Sequence, residues 1–539
     1  MSEKQEGEIE IQDKPQEQAE KGKGKQKREP KQPKGEKKQQ GENKSKPEKQ
    51  KPAKGGKGEK VNAAQCADVT FAAKKSDFPE WYDELMTTAG IIDKRLFPSS
   101  IKGMPVFLPY GYQMHLRIMK LFEEEYQKLG IKMTQFPAFI PRSFLEKEAD
   151  HVKGFQSECF WHEDECCLRP TSETAMYTMF HNWVHTADDL PLMVQQTCNV
   201  YRYETKGTKP LIRVREIPWN EAHTAHATPE EVLEILDEYW KIVHRIFHER
   251  LTINGLRLRR PDWDRFPGAE YTDVLDVVMP CGRVLQAISA HNLGQHFSKV
   301  FDIQVDGTFA YMECIGVSTR ALAAVLSTHG DDKGLVLPSV IAPYQVIMTP
   351  IITKKGNQEL IAKCQEIRTA LETVGLRVRI DTNDQKRAGE KYFYYEMKGV
   401  PLRIELGPRD LAEGKCTIVI RGIEGKREIN IADVTQQCVD ALKAYDDALR
   451  ARAQAHLESR IVDCNDFDKL PEILEKGGFA RIPFFTMGKE GKEAVERIHE
   501  KCGGEIRGWI PTEEQPGEGV KCLLTGKPAK FWAYIARAY

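Results

Sequence analysis

Asn199-Val200-Tyr201-Arg202-Tyr203-Glu204, the polar turn Thr205-Lys206-Gly207-Thr208-Lys209, and then Arg213-Val214-Arg215-Glu216 form the stretch around which the rest of the chain is read. Leu192 to Glu204 and Leu211 to Glu221 read as two β-rich segments joined by that turn. Residues two apart on a strand share a face, so Arg202 is expected to point with Glu204, and Arg213 with Arg215. Arginines on a sheet face suit phosphate, because the planar guanidinium gives paired contacts. A salt-bridged sheet surface would carry the same residues.

Two further runs point toward the same chemistry. In Arg169-Pro170-Thr171-Ser172-Glu173-Thr174, a hydroxyl and a carboxylate two apart suit an ammonium group, with Glu173 supplying charge and Thr171 a second acceptor. The same run also reads as a helix N-terminus. In Gly316-Val317-Ser318-Thr319-Arg320, an arginine opens the apolar helix Ala321 to Leu326. An Arg beside a helix start after a strand fits an ATP-binding corner. Neither a GxxxxGK[ST] nor a GxGxxG run occurs, so no P-loop or dinucleotide fingerprint is indicated.

Around these runs, Trp81 to Asp93 reads as a helix start and Gly111 to Leu129 as a stronger helix. The latter has Met114, Ile118, Leu121, Phe122 and Leu129 on one side, and Gly130 stops it. Ile131 to Phe136 reads as a strand. Thr228-Pro229-Glu230-Glu231 is a capping box opening a helix through Phe247. Val274 to Met279 and Phe309 to Cys314 are strand candidates. After Ala342 strands and helices alternate: Gln345 to Ile351, Glu359 to Val374, Leu376 to Ile380, Leu402 to Leu406, Thr417 to Ile420 and Val434 to Arg452. That spacing predicts a separate α/β domain. Ile461 to Tyr539 reads as a small α+β unit.

The 539 residues predict three or four domains. Net charge is −1, but it is unevenly spread: Lys21 to Lys60 carries 16 Lys/Arg against 5 Asp/Glu, and the first twenty residues carry 2 Lys against 7 acids. Residues 1–60 are expected to be a disordered Lys-rich tail, because so few apolar groups cannot offset the entropy of ordering. Such a tail is either a solvated extension or an arm that raises RNA affinity without reading sequence. No secretory signal is read at the polar N-terminus, and Pro338, Pro343 and Pro350 argue against a membrane span in the apolar stretch Gly334 to Ile352. Thirteen cysteines without a CxxC fit reduced thiols in a cytoplasmic protein.

Taken in order, the runs resemble motifs 1, 2 and 3 of class II aminoacyl-tRNA synthetases. Phe136-Pro137-Ala138-Phe139-Ile140-Pro141 ends motif 1, Arg202 and Glu204 sit in motif 2, and Arg320 in motif 3. The finer match is to prolyl-tRNA synthetases of the eukaryotic and archaeal type. It is carried by Arg169 to Thr174, Gln286 to His291 with Leu293-Gly294-Gln295, Gly334 to Pro338, and Glu405-Leu406-Gly407-Pro408-Arg409-Asp410. The resemblance covers roughly Asp77 to Tyr539. It implies an α+β fold: an antiparallel sheet with flanking helices over 61–342, an α/β anticodon-binding domain over 343–455, and a C-terminal zinc-domain-like unit over 456–539. It also implies a homodimer formed through motif 1. Its ligands would be proline, ATP, Mg2+ bridging phosphates, and proline tRNA.

The resemblance also assigns roles. Thr171 and Glu173 match the pair holding the proline amine, and Arg202 the arginine on the α-phosphate and substrate carboxylate. Phe155, Trp219, Glu221 and His223 match walls of the proline and ATP pockets. Gln286, Ser289 and His291 match the loop next to proline and the ribose. Arg320, beside Thr319, matches the arginine over adenine and γ-phosphate, and Glu204 and Arg213 join the nucleotide set. Arg409, Arg403 and Lys398 lie in the part of the anticodon domain that would read guanines. Three departures stand out. Ile217 replaces an aromatic that stacks on adenine in relatives. Phe485, Glu490, Cys522 and Thr525 occupy the positions of a four-cysteine zinc site, and one thiol of four argues against zinc, so no metal ligand set is expected. The interval from His223 to Gly316 leaves no room for a bacterial-type editing insertion, so cysteine activation is expected beside that of proline. Two rival readings are a synthetase-like protein that binds RNA or regulates another enzyme without catalysis, and another class IIa enzyme such as a threonyl or histidyl one. The first would lack Arg202, Glu173 or Arg320. A threonyl enzyme would need a Cys/His/His zinc set in its core.

Overall fold

The computed structural model describes residues 71–95, 102–146, 159–163, 165–204, 207–353 and 357–539. The tail over 1–60 and Phe155 lie outside the described residues. Long amphipathic segments form helices where their apolar positions recur at helical spacing: α1 (Phe78–Thr88), α2 (Pro109–Lys128), α3 (Glu173–Trp183), α4 (Pro229–Val243) and α5 (Arg320–His329). They cover a seven-stranded sheet made of β1 (Lys132–Met133), β2 (Leu192–Tyr201), β3 (Glu216–His226), β4 (Leu256–Arg259), β5 (Tyr271–Val278), β6 (Val284–Gly294) and β7 (Tyr311–Ser318). The order is β1-β2-β3-β7-β6-β5-β4, antiparallel throughout except for the parallel edge pair β1-β2.

One face of this sheet buries Ala222, Ile315 and Val317 against Met114, Ile118, Phe122 and Tyr126 of α2, Leu236 and Tyr239 of α4, and the apolar run of α5. On the other face α3 packs Met176, Tyr177 and Phe180 onto Val194, Ala225, Met312 and Cys314. The site described below lies on that face.

Several boundaries differ from the sequence reading for local reasons. The second β-rich segment begins at Glu216 rather than Leu211. Lys209 and Arg213 exchange both backbone bonds to close a tight turn, with Leu211 held at φ 62°. The strand expected over Ile131 to Phe136 shrinks to Lys132–Met133. The Thr228 hydroxyl accepts from Glu231 N at 3.3 Å, but Glu231 returns its carboxylate to Ala227 N, one residue before the cap. Beyond Val243 the helix continues as a wider π-helical stretch, His244–Arg250.

The following α/β domain contains β8 (Val346–Pro350), α6 (Gln358–Thr373), β9 (Val378–Ile380), α7 (Ala388–Met397), β10 (Leu402–Leu406), α8 (Pro408–Ala412), β11 (Lys415–Ile420), β12 (Arg427–Asn430) and α9 (Val434–Glu458). Its sheet runs β9-β8-β10-β11-β12. The C-terminal unit has β13 (Ile461–Asp463), β14 (Phe479–Phe484), α10 (Lys492–Cys502), β15 (Glu505–Gly508) and β16 (Phe531–Ala536), in sheet order β13-β14-β16-β15. It seals the open edge of the large sheet, where Arg259 and Trp509 exchange backbone hydrogen bonds of 2.8 and 3.2 Å. An exposed edge strand would otherwise be open to pairing with another chain. Among the described residues no helix is long and apolar enough to cross a membrane.

Candidate active site

Alternation on β3 brings Trp219, Glu221 and His223 to the face covered by α3, opposite Ser318, Gly316 and Cys314 of β7. Gly316 lies against the Trp219 ring, which a Cβ there would touch at an ordinary contact distance of 3.5 Å. On β6, Ser289 and His291 pair with Gly316 and Cys314 and join the same face. Gln286 would be out of phase in an unbroken ladder. Leu275 pairs with Ile288 but Asp276 pairs with Gln286, so Ala287 is an extra, bulged residue. A bulge re-aims the side chains beyond it, and Gln286 thereby enters the cavity.

That cavity is walled by the turn Leu211–Val214, by Ile217 and Trp219, by Gln286–Ser289, and by Gly316 with Ser318–Arg320. Arg202 and Glu204 complete it. The strand-face argument for these two requires correction. β2 ends at Tyr201, and Arg202 and Glu204 lie in the irregular segment beyond it, just as Arg213 and Arg215 precede β3. Arg202 N donates to Arg215 O at 2.9 Å and Glu204 N to Arg202 O at 2.7 Å. The Arg202 Nε donates to Pro170 O at 3.1 Å. Arg215 is turned aside, its Nε on Glu204 O and its guanidinium over the Tyr203 ring. Arg320 Nε donates to Ile212 O at 2.9 Å. Burial drives the Arg320 guanidinium down to about 10, with the charges of Arg202 and Arg213 adding to the effect. It stays charged at neutral pH, so three guanidiniums crowd a pocket whose lining offers one carboxylate, that of Glu204. Such crowding favours an anion. Thr319, also on the wall, spends its hydroxyl on Leu211 O at 2.9 Å and anchors the turn that carries Ile212 and Arg213.

Next to this cationic pocket lies a buried cluster of polar side chains with two carboxylates, those of Glu173 and Glu221. α3 starts at Glu173, with Ser172 at the cap position making no side-chain cap bond. The Thr171 hydroxyl instead donates to the Glu173 carboxylate, so Thr171 is not a helix cap. Gln196 Nε2 bridges Ser172 Oγ at 3.1 Å and Glu221 Oε1 at 2.8 Å. Glu221 Oε2 accepts from His223 Nε2 at 2.9 Å, and His223 Nδ1 meets the Tyr177 hydroxyl at 2.8 Å. Burial alone would raise the Glu221 carboxyl, but hydrogen bonds from His223, Ser172 and Gln196 hold it below its ordinary range. Burial alone would lower His223, but its contact with Glu221 leaves it raised. Each group thus favours the charged form of the other, and Glu173 lies against Thr171 and Cys314. Among the described residues one group of three side chains could share an ion: Glu173, His223 and Cys314, whose ligand atoms lie within 4.8 Å of one another. Both His223 nitrogens are already hydrogen-bonded, and burial with the neighbouring carboxylates pushes the Cys314 thiol up. This arrangement suits an ammonium group better than a metal, since a metal ligand must give up its proton.

His291 lies at the rim, with Nδ1 2.9 Å from Thr272 Oγ1 and Nε2 3.1 Å from Ser289 Oγ. Sequence reasoning missed Gln196, Tyr177 and Cys314, whose signals lay in strand alternation beside Glu221 and in the helical spacing of α3. Of the residues read as facing RNA, Lys398 sends its Nζ to Ala89 O at 2.6 Å and covers the Tyr110 ring, so it ties the α/β domain to α1. Arg403 is bonded to Glu405 at 2.9 Å and stacks on Tyr392. Arg409 is exposed on α8. In the C-terminal unit, Phe485 and Cys522 are buried in the core, and Glu490 accepts from the Thr486 hydroxyl.

Residues 155–329 match the class II tRNA synthetase core domain (G, H, P, S and T), 345–440 an anticodon-binding domain, and 467–539 the prolyl-tRNA synthetase C-terminal domain. The chain is 41% identical over 479 residues to proline–tRNA ligase of Methanosarcina mazei, spanning 86% of this chain and 98% of that one. It is 40% identical over 481 residues to that of Thermococcus kodakarensis, with the same coverage. A solved structure of Giardia lamblia prolyl-tRNA synthetase in complex with prolyl-adenylate is similar at 47% identity and a TM-score of 0.83, covering 86% of this chain and 99% of that one. The Cryptosporidium parvum enzyme, complexed with halofuginone and AMPPNP, is similar at 29% identity and a TM-score of 0.82, covering 87% of this chain and 97% of that one.

Proposed function

The chain belongs to the prolyl-tRNA synthetase family of class II ligases, and from that premise we propose that it activates L-proline with ATP and transfers it to the 3′ end of proline tRNA. The observation that carries this reading is the adjacency of a pocket crowded with arginines to a buried cluster of Thr171, Glu173, Glu221 and His223. The two are joined where Arg202 bonds Pro170, one residue before Thr171. In this reading Thr171 and Glu173 hold the proline amine, with Trp219, Glu221 and His223 as walls and Ser289 and His291 around them. Arg202 neutralises the α-phosphate and orients the proline carboxylate. The carboxylate oxygen attacks the α-phosphorus in line and pyrophosphate leaves; Arg213 and Arg320 offset its charge. Preorganised cations of this kind act without reorganising during the reaction. Adenine lies against Ile217, with Gln286 and Thr319 beside the nucleotide. Mg2+ would be held by phosphate oxygens and the Glu204 carboxylate, and supplies charge neutralisation there.

The three matched regions support the proposed division into a catalytic domain over 61–342, an anticodon domain over 343–455 and a C-terminal unit over 456–539, after the tail over 1–60. A homodimer and a cytoplasmic location complete the proposal. Arg409, exposed on α8, is the leading candidate to read an anticodon guanine, ahead of Arg403 and Lys398. Cysteine is close to proline in volume and its thiol costs little to desolvate, and a single methylene separates such side chains by only about 1–3 kcal/mol. Cysteine is therefore proposed as a second, weaker substrate of the activation step. Labelled proline, ATP and a proline tRNA transcript test the function. Charged tRNA is expected, and its absence with folded protein overturns the proposal.

A further inference from the structure

Gln286 meets the cavity with its orientation fixed from behind. The bulge at Ala287 sets it opposite Asp276 on β5. Asp276 is fully buried and binds both nitrogens of the Arg260 guanidinium at 3.0 Å. The same guanidinium reaches Gln286 Oε1 at 2.8 Å. A third charged group comes from another domain: Arg507, on β15 of the C-terminal unit, donates through Nε to Asp276 at 2.9 Å, and Arg260 NH1 bonds the Arg507 carbonyl. Gly508 makes this approach possible. At φ 134° it occupies backbone space where a Cβ would collide with the Arg259 carbonyl.

The chemistry of these groups decides what Gln286 presents to the cavity. A guanidinium has donors only, so the Gln286 amide can offer it nothing but oxygen. The amide nitrogen is left for the cavity as a donor. Without Arg260 in place the amide is free to turn over and offer oxygen, which repels phosphate and ribose oxygens. Arg260 is in turn held by a carboxylate it shares with Arg507. Removing Arg507 leaves Asp276 with one of its two guanidinium partners, and lets Arg260 shift toward Asp264, whose carboxylate lies 3.5 Å from its Nε.

We propose that Arg507, Asp276 and Arg260 are positioning residues through which the C-terminal unit holds Gln286 as a hydrogen-bond donor to the nucleotide. The proposal rests on the ATP reading of this pocket. The test measures KM for ATP and KM for proline separately, by proline-dependent pyrophosphate exchange, in Gln286→Met, Arg507→Gln, Arg507→Lys and the Gln286→Met/Arg507→Gln double variant. Loss of one donor corresponds to about a three- to tenfold change. Gln286→Met is expected to raise KM for ATP by that factor and leave KM for proline unchanged. Arg507→Gln is expected to do the same to a lesser or equal degree, and Arg507→Lys, which keeps a charge beside Asp276 and disturbs the fold least, to do less. The double variant is expected to be no worse than Gln286→Met, because both act through one contact. Additive effects of Arg507→Gln and Gln286→Met overturn the relay, as does a fall in kcat with KM for ATP unchanged; either makes Arg507 a strut of the fold. If Arg507→Gln does not fold, Arg260→Lys is read instead, since it keeps a charge beside Asp276 but loses the fork that also holds the Gln286 oxygen, and an unchanged KM for ATP there overturns the relay as well. A Gln286→Met enzyme with unaltered KM for ATP overturns the nucleotide role of Gln286 itself, which is a separate failure from that of the relay.

Discussion

Ile217 stands in the cavity wall between the arginine turn and Trp219, where an aromatic ring would offer a flat face to adenine. Ile217→Phe is expected to tighten ATP binding by about 1 kcal/mol, read as a lower Kd in direct titration; weaker binding with an intact fold would mean that the wall has no room for a ring. Glu313, buried beneath the same sheet, gives a pH prediction. Its Oε1 accepts from Thr224 and Tyr239, while its Oε2 has no partner among the described residues. Burial pushes it from 4.5 up to about 8. Between those values the folded chain keeps a proton that the unfolded chain has lost, so stability falls as pH rises, by about 1.4 kcal/mol per pH unit, and levels off above about 8. Glu313→Gln should flatten that slope and be the more stable protein at pH 8 in denaturant titrations; an unchanged slope would place the proton elsewhere. At this scale Arg202 and Arg320, which the structure brings to one cavity, were legible because the motif runs mark them by their own side-chain chemistry. Lys398 was not, because its partner Ala89 lies 309 residues away and nothing local marks a lysine that docks one domain on another.

The elements divide in the same way. Helices α2, α4 and α9 were legible because their apolar faces repeat over several turns, long enough to outweigh local noise. The strand pair that carries the arginines was legible as β-rich but not in its ends. The turn Lys209–Arg213 and the exit of β2 at Tyr201 place Arg202 and Arg213 by irregular backbone rather than by alternation. The bulge at Ala287 left no mark in the sequence, since an extra residue shows only in what it pairs with. It nevertheless decides that Gln286, and not Ala287, offers a polar side chain to the cavity. The end of α8 is where element and ligand recognition meet. Asp410 accepts from Gly407 N at 2.8 Å and so caps the helix, which leaves the Arg409 side chain outward. Arg409→Ala is expected to reduce tRNA charging roughly tenfold, in line with about 1–3 kcal/mol for a paired guanine contact, with proline-dependent exchange unchanged. An equal fall in both assays would make Arg409 a structural residue.

Across the whole molecule, the large sheet and the sheet of the C-terminal unit meet behind one site. The large sheet carries the pocket, and the C-terminal unit covers its open edge and reaches Asp276 through Arg507. The anticodon domain is tied on by Arg421 to Asp331 at 2.6 Å, Tyr445 to Leu337 O and Lys398 to Ala89 O. Its contacts fall on α1, on Tyr110 of α2, on the π-helical stretch His244–Arg250 and on the segment that follows α5. That the chain holds a class II core, an anticodon-binding domain and a prolyl-type C-terminal domain was legible from changes in periodicity and from the quoted motifs, whereas these ties join residues far apart in sequence. An assembly that makes an adenylate of proline with Arg202 at the reacting phosphate must catalyse proline-dependent pyrophosphate exchange. Run with each of the twenty amino acids, exchange should be strongest with proline, weaker with cysteine and absent with larger side chains. Arg202→Ala should lose about 100- to 1000-fold of the proline-dependent rate, the cost of about 3–4 kcal/mol for a charged transition-state contact. Exchange driven best by another amino acid, or an Arg202→Ala enzyme with near-normal proline-dependent exchange, would contradict the account.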